Sequence, residues 1–189
     1  MKIKDCMTLT NVTQEKLSIR ILSKYPNEER MSVEEMKHHK WEHSLLSPSS
    51  VDFLKSLPYR IDTVCEGHTV SVLHYCMDRD GHYINYRPNP SEDDLKRMFS
   101  NVASEIVLYG HDHQRNICKG NKLYINVDSL GCPAQSRNIA WASVVNITLE
   151  NIEVQTIDVQ YEANLVVDRI DQLNYPDAGN IKKYFYGVW

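Results

Sequence analysis

Glu105-Ile106-Val107-Leu108-Tyr109-Gly110-His111-Asp112-His113 is the stretch on which the reading of this chain turns. A short apolar run that stops at a glycine and opens into two histidines one residue apart reads as a buried strand with polar chemistry at its carboxyl end. That end of a strand is where α/β proteins place ligands and catalysts. Neutral imidazole is the commonest side-chain ligand for zinc, manganese or iron, so His111 and His113 are candidate metal ligands. Gly110 is expected to give the backbone a tight turn that presents both.

Upstream, Arg60 to Cys65 alternates, Glu66-Gly67 turns, and Thr69 to His74 runs back as a second strand that ends on a third histidine. Ser91-Glu92-Asp93-Asp94 opens a helix with a capping-box start, and Leu95, Met98 and Phe99 face inward. Downstream, Lys122 to Asn126 is another strand, followed by a small-residue turn through Ser129. Ile139 to Glu150 and Ile152 to Tyr161 form a long antiparallel hairpin. Ala163 to Leu173 reads as a helix, and Tyr184-Phe185-Tyr186 as an anchored tail. Further out, Ser47-Pro48 starts a helix with Val51, Phe53, Leu54 and Leu57 as its buried stripe, ended by Pro58. The first forty residues read as polar helices over Thr13–Lys24 and Glu28–His39. The expected fold class is α/β, with strands dominating the second half.

The bulk composition agrees with one soluble domain. The chain has 189 residues, 42% hydrophobic and 24% charged, with a net charge of −4. That balance argues against a general nucleic-acid binder, which carries a basic surface. No apolar run has the length of a membrane span, and the start Met1-Lys2-Ile3-Lys4-Asp5 has no signal-peptide pattern. Five scattered cysteines without a Cys-x-x-Cys pair fit reduced thiols, and the expected location is cytoplasmic.

A strand-end His74, a strand followed by Gly110-His111-Asp112-His113, and a strand followed by Asn126-Val127-Asp128-Ser129 form an ordered series. The series resembles the second half of the calcineurin-like metallophosphoesterases, in particular their small bacterial phosphodiesterase and phosphatase branch. There the late motifs read His-Gly, Gly-His-x-His and Asn-Pro-Gly-Ser. The resemblance covers the chain from about Trp41 onward. It implies a partial metallophosphoesterase-type β-sandwich flanked by helices, as a single truncated domain over 1–189, with a helical segment over 1–58 and the sheet and hairpin over 59–189. It implies His74 and His111 on one metal, His113 on a second, and Asn126 and Ser129 shaping the turn beneath. It implies hydrolysis of a phosphorylated small molecule, a nucleotide or a phosphoprotein by a hydroxide activated on divalent manganese, iron or zinc.

The family's early motifs, Asp-x-His, Gly-Asp and Gly-Asn-His-Asp, are not found upstream of His74. No glycine precedes Gly67 at all. The first β-α-β units are therefore expected to be absent, and with them the carboxylates that offset two dications. Activity of this chain alone is expected to be impaired. A complementing chain or a homo-oligomer would restore it, and the alternative is a degenerate metal-binding or interaction module. A mononuclear zinc site of His74, Cys76, His111 and His113 is a further option. Arg79 and His82, in the polar turn after His74, are candidates for the substrate side. His38-His39 and His43 include an i, i+4 pair that can chelate a metal on a helix, but beside Glu34, Glu35 and Glu42 they read rather as a solvated helix face, and Trp41 and Trp189 as core or docking aromatics.

Overall fold

The computed structural model describes residues 33–78, 83–85, 87–111, 113–126, 129 and 137–188. The expected helix over 13–24, and Arg79, His82 and Trp189, lie outside these. The described elements run α1 (Val33–Leu45), α2 (Pro48–Ser56), β1 (Arg60–Cys65), β2 (His68–Leu73), α3 (Glu92–Met98), β3 (Ile106–Tyr109), β4 (Asn116–Lys119), β5 (Leu123–Asn126), β6 (Ile139–Ile147), β7 (Ile152–Gln160), α4 (Ala163–Gln172) and α5 (Ala178–Tyr186). They divide into two compact units. One holds 59–160, and the other combines the helical residues up to 58 with those from 161 on.

In the first unit, a five-stranded mixed sheet has the order β1-β2-β3-β5-β4, and β6 pairs with β7 as a separate hairpin. β2, β3 and β5 are mutually parallel, with antiparallel β1 and β4 at the edges. Glu66 and Gly67 both have positive φ, 48° and 84°, as a two-residue turn between twisted strands requires. A Cβ at Gly67 would lie 3.2 Å from Leu149 Cδ2, so the turn asks for glycine on both counts.

Strand periodicity sorts the core into two layers. Val70, Val72, Ile106, Leu108, Leu123 and Ile125 face the hairpin and pack against Val145, Ile147, Ile152 and Val154. Leu73, Val107, Tyr109 and Tyr124 face the other way and pack against Leu95 and Phe99. Burying each of the latter two contributes about 1.5–3 kcal/mol. Helix α3 carries the capping box read from sequence. Ser91 Oγ accepts from the Asp94 N–H at 3.2 Å, and the Asp94 carboxylate accepts from the Ser91 N–H at 3.0 Å. The outcome is the expected α/β sandwich-like arrangement, helix on one face of the sheet and hairpin on the other.

In the second unit, Ala163, Val167, Ile170 and Tyr186 form a small core between α4 and α5. Helix α2 is capped by Ser47, which accepts from Ser50 N–H at 3.1 Å. Of its expected stripe only Leu54 is buried, and Phe53 is 60% exposed. Among the described residues, no helix is long and apolar enough to cross a membrane.

Candidate metal centre

The parallel pairing of β2 with β3 brings their carboxyl ends together, and the ladder continues one step past both strands. Gly110 N–H donates to the His74 carbonyl at 2.9 Å. This places the His74 and His111 side chains in contact, with Nε2 of the first 3.0 Å from Nδ1 of the second. His74 is 5% exposed, and its Nδ1 is buried with no hydrogen-bond partner among the described residues. Burial, then the neighbouring His111 and His113, pushes its pKa down to about 3. Burial lowers His111 as well, with His113 adding to it, and burial alone lowers His113. All three imidazoles are therefore neutral at physiological pH and offer lone pairs.

The backbone strain sits on the histidines themselves. His111 has φ 82° and His113 φ 48°, a region that non-glycine residues enter at a cost. The glycine singled out from the sequence instead lends its N–H to the strand ladder, where it holds the two strand ends in register.

The surroundings are aromatic. The His111 ring lies 4.6 Å from Tyr75 and 5.5 Å from Tyr83 between centroids, and His74 lies 5.4 Å from Tyr83. Tyr83 reaches the pair through a bridge with Met77. Sequence reasoning assigned no role to Tyr75, which follows His74 where the late motif His-Gly has glycine. It missed Tyr83, whose position depends on the path of a loop.

The residues named from the sequence divide as follows. His74 and His111 meet. His113 is close enough to depress their protonation, yet among the described residues no three His, Cys, Asp or Glu side chains are placed to hold one ion. Cys76 does not join them. It is buried in the layer with Tyr75, Leu95 and Phe99, because the chain leaves strand geometry after Leu73 and the expected alternation fails. Asn126 is fully buried at the end of β5. The Ser129 carbonyl accepts from Trp141 N–H at 3.2 Å, tying this turn to the start of the hairpin. Asp112 and Asp128, the nearby carboxylates in sequence, lie outside the described residues. Next to Met77 a cleft of about 610 Å³ opens, lined in part by Asp78, Ile84, Arg87, Asp94 and Arg97. Arg87 and Arg97 both reach the Asp94 carboxylate there. Arg79 and His82, the residues expected on the substrate side, are not among those described.

The donor set fits one metal ion better than two. Two nitrogens about 2.0–2.1 Å from a single ion and 3.0 Å apart subtend roughly a right angle, which a pair of ligands can adopt. Two dications held by neutral imidazoles alone would lack compensating charge.

No family model matches the chain, and no curated protein does. Among solved structures it is similar to the hypothetical protein PH1004 from Pyrococcus horikoshii OT3, with a TM-score of 0.71 and 16% identity over 96% of this chain and 77% of that one. This likeness shows a shared fold. Fainter similarities reach zinc-complexed Vps29 from Entamoeba histolytica, with a TM-score of 0.40 and 12% identity over 55% of this chain and 62% of that one. A novel archaeal phosphodiesterase follows at a TM-score of 0.37 and 16% identity, over 59% of each chain.

Proposed function

We propose that this chain carries a metallophosphoesterase-type site reduced to a single-metal form, acting on a phosphoester and turning over weakly when the chain is alone. The observation that carries the reading is the 3.0 Å approach of His74 Nε2 to His111 Nδ1 at the ends of two parallel strands. His74 and His111 would hold a divalent ion such as manganese, iron or zinc. An ion there would supply Lewis-acid polarisation of a phosphoryl oxygen. The chain's own contribution is positioning. The ladder bond from Gly110 fixes the two strand ends, Tyr75 and Tyr83 close the rings off from bulk water, and the lowered imidazole pKa values keep protons from competing for the lone pairs. Asn126 and Ser129 hold the turn below, His113 adds a neutral neighbour, and Arg79 and His82 are assigned to the substrate side. A phosphorylated small molecule, nucleotide or phosphoprotein is the substrate class, in a cytoplasmic setting. A complementing chain or second copy would supply carboxylates that offset the metal's charge.

The second reading is a non-catalytic metal-binding or interaction module. It is favoured by the aromatic packing of Tyr75 and Tyr83 directly on His111. Hydrolysis of bis-p-nitrophenyl phosphate with added manganese, beside His111→Ala, separates the two. Slow manganese-dependent turnover lost in the variant supports the enzyme. Manganese binding lost in the variant without turnover supports the module. Manganese binding unchanged by His111→Ala overturns both.

A further inference from the structure

His38 and Glu42 stand one helical turn apart on α1, and Tyr175 comes from the turn between α4 and α5. Their side-chain ends converge. His38 Nε2 lies 2.8 Å from Glu42 Oε1, Tyr175 Oη lies 2.8 Å from the same oxygen, and His38 Nε2 and Tyr175 Oη are 2.5 Å apart. One nitrogen and two oxygens thus form a closed triangle. The sequence reading had put His38 and His39 on a solvated helix face, but their side chains are only 17% and 14% exposed.

Hydrogen bonding alone accounts poorly for three short edges. With Glu42 ionised, the available protons are the Tyr175 O–H and one imidazole N–H. If each donates to the carboxylate, the nitrogen–oxygen edge is left with no proton of its own. A cation facing all three atoms satisfies every edge at once. Donors about 2.0–2.1 Å from an ion at right angles lie about 2.8–3.0 Å apart, within a few tenths of an ångström of the spacing here. The surroundings would orient the donors. His39 Nδ1 lies 3.5 Å from Glu42 Oε2, and its ring stacks on His38 at 5.2 Å. Trp41 holds the Tyr175 ring edge-on at 4.9 Å. Burial raises the Glu42 pKa, but hydrogen bonds from His38, His39 and Tyr175 outweigh it and keep the carboxyl well below its usual range, so the donor is charged.

We propose that His38 Nε2, Glu42 Oε1 and Tyr175 Oη form a three-donor site for a single first-row transition-metal ion, built from residues other than the strand-end histidines. The imidazole, carboxylate and phenol set suits zinc, copper or ferric iron better than calcium or magnesium. Three protein donors leave coordination positions for solvent or a further ligand. When the ion binds as a phenolate complex, the Tyr175 proton passes to solvent, so affinity rises with pH.

The test uses the full chain, stripped of metal, in a His74→Ala/His111→Ala background that silences the other cluster. Calorimetry with Zn²⁺ is expected to show one ion per chain, bound more tightly at pH 8 than at pH 6. His38→Gln and Glu42→Gln should each weaken it at least about tenfold. With Fe³⁺ as the probe, wild type should develop a visible phenolate-to-iron absorption that Tyr175→Phe removes, with helical circular dichroism unchanged. If Tyr175→Phe does not fold, the two glutamine variants decide. Absence of zinc binding in the background chain overturns the proposal and leaves a hydrogen-bonded triangle only. So does binding of equal strength in Glu42→Gln.

Discussion

His74 and His111 meet at the ends of paired strands, among tyrosines and, among the described residues, with no carboxylate in their set, whereas His38 and His39 meet on one helix around Glu42. The first cluster is kept neutral by burial. The second is organised around a charge, and its glutamate is held ionised by donors on two elements. The same residue type therefore does opposite electrostatic work. In one place the imidazole is a desolvated base, and in the other it is a hydrogen-bond partner of an anion. Among the described residues, what separates them is whether the backbone brings a carboxylate along. An i, i+4 step on a helix does so locally, while a strand end depends on whatever other segments supply.

The comparison can be broken most severely by forcing charge into the neutral cluster. His74→Lys places an uncompensated cation at a 5% exposed position. It should cost about 3 kcal/mol or more in urea unfolding at pH 7. The next effect is pH dependence. A His74 imidazole with a folded pKa of about 3 binds fewer protons folded than unfolded, so its contribution is present above about 6.5 and is lost as pH falls. Between pH 6.5 and 4.5 the wild type should lose about 2 kcal/mol more than His74→Gln. Equal slopes in the two proteins would show that burial does not control this group.

Glu42 supplies the contrasting case. Its folded pKa lies below the ordinary 4.5, so its contribution is present above that value and fades only as pH drops further. Glu42→Gln should destabilise by about 1 kcal/mol at pH 7 and flatten the unfolding curve only below about pH 4.5, leaving the His74 region of the profile intact. The smallest effect tests whether local capping matters beside these clusters. Ser91→Ala removes the side-chain half of the capping box on α3, leaving the backbone N–H at 91 to donate to Asp94, and should cost about 1 kcal/mol or less, without any pH signature above 5. A pH-dependent loss there would mean that the helix start is coupled to an ionising group.

Much of the sheet was readable because its signals are local. The Glu66-Gly67 turn, the alternation in β1, the capping box and the apolar runs of β3 and β5 each lie within a few residues. β4 escaped notice because Asn116 to Lys119 has one strongly apolar residue and sits at an edge, where pairing with β5 alone makes it a strand. α5 was read as a tail because Gly179 and Asn180 weaken its first turn, and its helical state depends on packing against α4. Within the site, His74 and His111 were legible as strand-end histidines. Tyr83 was not, and neither was the meeting of His38 with Tyr175 across 137 residues. Contacts of that kind follow from the path of the whole chain, which no short window of sequence contains.

The left-handed backbone at His113 puts two demands on one position. Glycine would occupy φ 48° at no steric cost, whereas histidine gives up about 1 kcal/mol or more to sit there. His113→Gly should therefore raise stability wherever the backbone gain exceeds the lost ring contacts, while deleting an imidazole from the strand-end cluster. A lineage selected only for a durable fold would drift toward glycine at this turn, and one that keeps histidine is trading durability for the ring.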